Sequence, residues 1–387
     1  MFWMDKRVVV TGHTGFKGGW LSLFLERLGA NVTGYSIQPP STPNLFEIAR
    51  VAEHIRSFEG NVRDLEHLKR TMADTQPEVV FHLAAQSLVR QSYQHPVDTL
   101  TTNVMGTVNV LEAIRLTPSV RVVVIVTSDK CYENHEWAWG YRETDALGGY
   151  DPYSASKGAA EIVTAAYRHS FFPPESYTEH RVAVASVRAG NVIGGGDWSA
   201  ERLIPDIVRA FTKGESALIR SPKAMRPWQH VLDALHGYIM LAERMWADSG
   251  FAEAWNFGPL DDDTKPVTWI VEHMTELWGD GARWEYDSQP APHEATLLKL
   301  DSSKVRSRLA WMPKLNLLTA LEWTVSWYKE NHAGRDMRAM TLKQIEQYKD
   351  LVGRTAAICC VFFATLYGTF GEKAALSNLL WEFGSAL

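Results

Sequence analysis

At 387 residues the chain is long for one hydrophobic core, so a large α/β unit with a smaller second lobe is the expected organisation. Its 45% apolar and 22% charged content is that of a soluble globular protein, and a formal net charge of −6 with no basic run of five or more gives nucleic-acid or anionic-membrane binding no compositional support. Three cysteines, Cys131, Cys359 and Cys360, form neither a metal-site spacing nor a disulfide framework, and Met1 to Lys6 lead straight into a strand rather than an apolar leader, which suits a reducing cytoplasm.

Arg7-Val-Val-Val-Thr11 reads as a short buried strand. It runs into Gly12-His-Thr-Gly15-Phe-Lys-Gly18, after which Trp20 to Leu28 carry apolar residues at helical spacing. Glycines at this spacing let the backbone turn tightly, approach a pyrophosphate and pack the helix on the sheet, with the helix N-terminus facing the phosphates. Thr14, Phe16 and Lys17 lie inside this turn and join the glycines as cofactor-contact candidates. A turn with no ligand is the competing reading, but strand, glycine triplet and helix in that order favour a dinucleotide.

Strand-like runs recur at 31–37, 55–59, 78–84, 121–127 and 181–187, with helical patterns between them at 64–74, 96–116 and 153–170. This alternation predicts an α/β fold: a Rossmann-type doubly wound parallel sheet covered by helices on both faces. Ligands bind such sheets at the carboxyl ends of the strands. Gly12 to Gly18, His82-Leu83-Ala84-Ala85-Gln86 and Thr127 to Lys130 all fall there and converge on one crevice.

The third of these segments leads to the chemistry. Residues four apart share a helix face, so Tyr153 and Lys157 point at one site, and a neighbouring ammonium favours the phenolate of a tyrosine whose ordinary pKa is about 10. Ser128, just past Val122 to Val126, is placed to hydrogen-bond the same substrate hydroxyl. Together the three form a hydroxyl-oxidising constellation; the bland alternative is a packed tyrosine, a solvated lysine and a capping serine.

Beyond Val187 the chain becomes loop-rich through Arg188 to Asp197, and Pro and Trp punctuate Ser221 to His230. Residues 1–187 are therefore assigned to the dinucleotide-binding domain, and 188–350 mainly to a smaller C-terminal substrate-binding lobe, with some later segments returning to the first domain. Gln289 to Glu294 reads as a pocket-lining or exposed loop. Residues 355–387 form an atypical tail: Thr355 to Phe370 is apolar but short of the roughly twenty residues of a membrane span. It is either a buried or interface helix or an added segment with little fixed structure. Trp137, Trp139, Trp198 and Trp228 stand near the motifs, where a ring could stack on sugar or base.

Gly12-His-Thr-Gly-Phe-Lys-Gly18, Thr127-Ser-Asp-Lys-Cys-Tyr132, Gly149-Tyr-Asp-Pro-Tyr-Ser-Ala-Ser-Lys157, Arg188 to Trp198 and Arg226-Pro-Trp-Gln-His230 resemble the motifs of the CDP-glucose 4,6-dehydratases, a group of extended short-chain dehydrogenases/reductases. The resemblance covers roughly residues 3 to 350 and not the tail. It implies tightly held NAD, a CDP-D-glucose substrate, and a closed redox cycle serving deoxysugar and O-antigen biosynthesis. In that cycle Tyr153, Lys157 and Ser128 act at the 4-hydroxyl. Asp129 is the general acid for the leaving 6-hydroxyl, and Lys130 is the C5 base or the orienter of a water. Epimerases of the same fold lack such a pair, and a non-catalytic redox sensor would be expected to lose Tyr153 and Lys157.

The resemblance further implies cofactor contacts from Val62, Leu83, Ala84 and Ala85, an adenine contact from Asp64, and substrate contacts from Gln86, Asn191, Arg226, His293 and Glu294. Arginine suits a planar bidentate grip on a diphosphate. A departure concerns the carboxylate expected on the adenosine ribose: the second strand ends Tyr35-Ser36 without one. Ser36 is left as the ribose candidate and the exclusion of NADP is open. A homodimer through helices 96–116 and 153–170 is expected from the family.

Overall fold

The computed structural model describes residues 1–287 and 297–367, with side chains as far as Arg354. In chain order the strands are β1 (Arg7–Thr11), β2 (Asn31–Ser36), β3 (Arg56–Glu59), β4 (Val79–His82), β5 (Val122–Val126), β6 (Ala183–Ala189), β7 (Asn191–Ile193), β8 (Ala217–Ile219), β9 (Met225–His230), β10 (Ala254–Phe257), β11 (Thr264–Pro266) and β12 (Trp284–Tyr286). Seven of them form one sheet in the order β3-β2-β1-β4-β5-β6-β10, every neighbouring pair parallel. The order reverses between β1 and β4, which opens a crevice at their carboxyl ends.

β5 shows why the sheet is buried on both faces. Val-Val-Val-Ile-Val is β-branched throughout, and alternate side chains point to opposite sides. Val122, Val124 and Val126 enter the core shared with helices Phe16–Arg27, Val231–Ala247 and Leu317–His332, whereas Val123 and Ile125 enter the core shared with helices Leu65–Thr75 and Gly106–Arg115. Helix Pro152–Ser170 closes the second face, with Val163 and Tyr167 against that core.

Outside the main sheet, β7, β9 and β11 form a three-stranded sheet, and β8 and β12 a two-stranded one. β7 pairs parallel with β9, and β9 antiparallel with β11, so Asn191 and Arg226 stand on neighbouring strands over the crevice. β10 carries the chain back to the edge of the main sheet beside β6. The region 96–116, read as one helix, is helical throughout but widens to π geometry over Thr101–Met105. Buried Asn103 sits in that segment: its amide nitrogen donates to Ser156 Oγ at 2.8 Å and to the carbonyl of Gln86 at 2.9 Å, and its oxygen accepts from the Gln86 N–H at 2.8 Å. The bulge thereby ties the loop after β4 to helix Pro152–Ser170, in keeping with the frequent occurrence of such bulges at functional sites.

Helix Met337–Tyr367 carries the backbone across Arg354 into the tail, and residues 368–387 lie outside the described residues. Among the described residues no helix is long and apolar enough to cross a membrane, and no group of His, Cys, Asp or Glu is placed to hold a metal ion.

Candidate active site

The crevice at the strand ends is a cleft of about 1000 Å³ lined by residues from Gly12 to Val267. Its floor is the glycine turn. Gly12 has φ +78°, and a Cβ there would meet Ala84 N at 2.7 Å; one at Gly18 would meet Gly12 O at 2.1 Å. Only bare backbone fits between the turn and the end of β4. No side chain caps helix Phe16–Arg27, so its first N–H groups, at residues that line the cleft, remain available to an anion. Thr14 Oγ1 bonds Ser36 Oγ at 2.8 Å and donates to the Ile37 carbonyl at 3.1 Å, which ties the turn to the end of β2. These features fit a dinucleotide diphosphate with its ribose toward Ser36. Alanine at Gly18 adds strain of about 1–3 kcal/mol to this turn; NAD titration followed by protein fluorescence is expected to show Gly18→Ala binding at least about tenfold more weakly.

Helix Pro152–Ser170 supplies the next wall. Asp151 caps it, accepting from Ser154 N at 2.9 Å and Ser154 Oγ at 2.6 Å, and Pro152 occupies the first turn, where a missing N–H costs nothing. A start fixed in this way sets Tyr153 and Lys157 on one face, both buried, both lining the cleft. Opposite them the chain leaves β5 through Thr127 into the turn Asp129–Cys131, which brings Ser128, Asp129 and Lys130 into the same wall. Ser128 Oγ donates to Asp129 Oδ1 at 2.9 Å, and Asp129 Oδ2 has no hydrogen-bond partner among the described residues.

The electrostatics differ in one respect from the sequence expectation. Burial pushes the Tyr153 phenol up to about 12, against a hydrogen bond from Ser128 and the charge of Arg202. Lys157, brought down to about 8 by burial, directs Nζ to the Val126 carbonyl at 3.4 Å, so desolvation outweighs any help it gives the phenolate. Burial likewise lowers Lys17 to about 8, with Arg202 and Lys157 adding to the effect. Asp129 is raised by burial, although Lys130, Ser128, Arg226 and Lys17 all oppose the shift. A carboxyl whose pKa burial raises beside several cations is suited to giving up a proton.

The remaining candidates fall out unevenly. Val62, Leu83, Ala84, Ala85, Gln86, Asn191 and Arg226 line the cleft. The Gln86 amide is engaged by Leu88 O and Thr99 Oγ1, at 3.0 and 2.9 Å, so this residue shapes its own loop. Asp64, read as an adenine contact, does not line the cleft: its carboxylate caps helix Leu65–Thr75, accepting from His67 N at 2.9 Å. Asn61, Val62 and Arg63 line that stretch instead. His293 and Glu294 lie outside the described residues. Trp198 and Trp228 line the cleft, whereas Trp137 stacks on Tyr141 with ring centroids 5.2 Å apart and Trp139 is exposed.

Arg202 was not legible in advance. It sits on the N-cap of helix Leu203–Thr212, pairs with Asp197 at 2.9 Å and donates to Ser87 Oγ at 2.8 Å, joining the start of that helix to the loop after β4. A basic residue after the glycine-rich 194–196 was the only signal.

Comparison with known proteins agrees with this geometry. A family model described as GDP-mannose 4,6 dehydratase matches residues 9–324. A CDP-glucose 4,6-dehydratase of Salmonella typhimurium is 52% identical over 354 residues, covering 91% of this chain and 99% of that protein. Among solved structures, a UDP-glucose 4-epimerase of Thermotoga maritima superposes with a TM-score of 0.73 at 20% identity, over 84% of this chain and 99% of the other. A dTDP-glucose 4,6-dehydratase of Bacillus anthracis, solved with NAD, superposes at 0.70 and 21%, over 86% and 100%. These two show the shared fold. With four-fifths of its length under one family model and 52% identity to a relative over 91% of the chain, it belongs to the GDP-mannose 4,6 dehydratase family.

Proposed function

We propose that the protein is an NAD-dependent hydro-lyase that converts CDP-D-glucose to CDP-4-keto-6-deoxy-D-glucose and water. The observation that carries this reading is the pairing, in one cleft wall, of a hydroxyl-oxidising set with a buried acid and an adjacent lysine: Tyr153, Lys157 and Ser128 beside Asp129 and Lys130. A 4-epimerase needs only the first set. The CDP-glucose 4,6-dehydratase at 52% identity supports the same substrate.

The backbone of Gly12 to Gly18, with Thr14, Lys17 and Ser36, would hold NAD, the adenosine end lying toward Asn61, Val62 and Arg63. When bound, NAD supplies the hydride acceptor for C4 and later returns that hydride to C6. Tyr153, drawn to its phenolate by the positive charge that bound NAD would add to that of Lys157, accepts the 4-hydroxyl proton, with Ser128 hydrogen-bonded to the same oxygen. The resulting 4-ketone acidifies the C5 proton, which Lys130 removes directly or through a water it orients. Asp129, whose carboxyl burial shifts toward the protonated form, gives a proton to the departing 6-hydroxyl, and the C6–O bond breaks as the C5=C6 bond forms. Asn191 and Arg226 grip the diphosphate. The absence of a carboxylate at the end of β2 leaves NADP as a weaker alternative cofactor.

The finer context follows from the same reading: the enzyme acts in the cytoplasm, in deoxysugar synthesis for O-antigen, as a homodimer. Val97, Leu100, Met105, Ile162 and Phe171, exposed on the two helical segments that flank the catalytic wall, supply an apolar face for the second copy. Residues 1–187 with β10 form the dinucleotide domain, the rest to 350 mainly the substrate lobe.

Incubation with CDP-glucose, dTDP-glucose and UDP-glucose separately, followed by mass spectrometry and a borohydride trap, tests the assignment. Loss of water from CDP-glucose is the expected result; an isomer of unchanged mass would replace the dehydratase with the epimerase. A pH profile adds a second check. Lys157, near 8, carries its charge below that value and loses it above, so kcat/KM is expected to decline as pH rises past about 8. In Lys157→Met that decline is expected to be gone.

A further inference from the structure

Glu161 lies one helical turn beyond Lys157, on the same face as Tyr153 and Lys157 but beneath the cleft rather than in it. It pairs with Arg188 at 2.8 Å, the side chains 2% and 3% exposed. Arg188 belongs to β6. The pair is therefore a full ion pair inside the protein, a costly arrangement that persists only when every oxygen and most donors are satisfied.

The partners of the two charges come from each segment that frames the cleft wall. Glu161 accepts from Thr127 Oγ1, the residue before Ser128, and from Ser186 Oγ at 2.7 Å. Arg188 donates to Tyr132 OH at 2.6 Å, the residue just after the turn Asp129–Cys131, and to the Glu143 carbonyl at 3.2 Å. Tyr132 OH in turn donates to Asn256 Oδ1 at 2.8 Å on β10. Segment 128–131 is thus gripped at both ends, by Glu161 through Thr127 and by Arg188 through Tyr132. Burial pushes Glu161 up, but Arg188 and the three hydroxyl and guanidinium bonds hold it below the ordinary carboxylate range, so the pair stays charged.

We propose that the Glu161–Arg188 pair is a positioning device that sets the turn carrying Asp129 and Lys130 against the helix carrying Tyr153 and Lys157, and so couples elimination to oxidation. The inference rests on the dehydratase reading. Tyr153 and Lys157 keep their mutual geometry from their own capped helix. The turn carrying Asp129 and Lys130 is only one 3-10 turn long; apart from its Ser128 cap, which accepts from Lys130 N at 3.2 Å, and a bond from Gly148 N to the Cys131 carbonyl at 2.9 Å, it depends on the residues at its two ends. Loss of one charge therefore moves the elimination groups more than the oxidation groups. Displacements on the order of 1 Å cost about 10²-fold in rate.

The test compares Glu161→Gln, Arg188→Lys and the double variant Glu161→Leu with Arg188→Met, using two readouts. The first needs no substrate: iodoacetamide labelling of the native protein with peptide mapping at Cys131, which is buried inside the gripped turn. The single variants are expected to label Cys131 at least tenfold faster than the unaltered protein. The second is single-turnover reaction of NAD-loaded enzyme with CDP-glucose, separating the 4-keto intermediate from the dehydrated product. In Arg188→Lys, which keeps the Glu161 charge that supports Lys157, oxidation is expected to change by less than about threefold and elimination to fall by about 10²-fold, so the hydrated 4-keto intermediate accumulates; Glu161→Gln is expected to slow elimination at least as much and also to move the alkaline decline of oxidation to lower pH. The double variant keeps Cys131 protected, since apolar side chains fill the space, but leaves elimination slow.

A wild-type partition in both single variants overturns the proposal, as does a double variant that restores elimination, because the pair would then be filling space and nothing more. Arg188→Lys keeps a buried cation and serves where the glutamine variant does not fold. An unaltered protein that dehydrates none of the three nucleotide sugars ends the functional reading; Cys131 labelling then still decides whether the pair holds the turn, and rates equal across the variants would end the proposal as well.

Discussion

Tyr153→Phe is expected to lower turnover of CDP-glucose by about 10²- to 10⁴-fold, the range for loss of a positioned proton acceptor. The substitution removes one oxygen from a buried ring and leaves the apolar body in place. Asp151 caps the helix from outside it, and Asn103 binds Ser156 at 2.8 Å, so the fold and NAD affinity are expected to hold. A thermal midpoint within a few degrees of the unaltered protein, together with an unchanged NAD titration, checks this. Activity above about a tenth of normal would mean that Ser128 or Lys157 takes the proton unaided. The loss is expected in the first step, so no reduced cofactor should appear at 340 nm when CDP-glucose is added.

The glycine turn, the Tyr153–Lys157 spacing and the placement of Ser128 were legible because each is local. A turn, a helix period and a strand end are written within a few residues, and the alternation of strands and helices gave the parallel sheet. What escaped were partnerships between residues far apart in the chain. Arg202 meets Ser87, Glu161 meets Arg188, and Tyr132 meets Asn256, and no periodicity announces any of them. β10 was missed because four residues at a sheet edge carry little pattern. Asp64 shows how a local role is also legible: an aspartate just before a helix is a capping residue by ordinary propensity, and one of its oxygens caps helix Leu65–Thr75 here. Tyr153 carries a further lesson. Spacing shows that a cation is near, but burial, which spacing does not show, sets the sign of the shift.

Asp129→Asn and Lys130→Met are each expected to separate the two halves of the reaction. Asparagine keeps the shape of the side chain and can accept from Ser128 Oγ as Asp129 Oδ1 does at 2.9 Å, but it has no proton for the leaving hydroxyl. Oxidation at C4 should proceed near its normal rate, because Tyr153, Lys157 and Ser128 are untouched, while water loss falls by about 10²- to 10⁴-fold. Reduced cofactor and a 4-keto sugar nucleotide of undiminished oxygen content should then accumulate together, visible at 340 nm and by mass spectrometry. The two substitutions are distinguished in deuterated water. Lys130→Met is expected to stop deuterium entering C5, whereas Asp129→Asn lets the C5 proton exchange because only the leaving group is unassisted. Equal exchange in both would assign the C5 base elsewhere in the cleft, with Lys17, lowered to about 8 by burial, the next lysine on its wall. The order of proton loss and water loss would be set by that result, since a C5 proton that exchanges while the 6-hydroxyl stays on can only have left first.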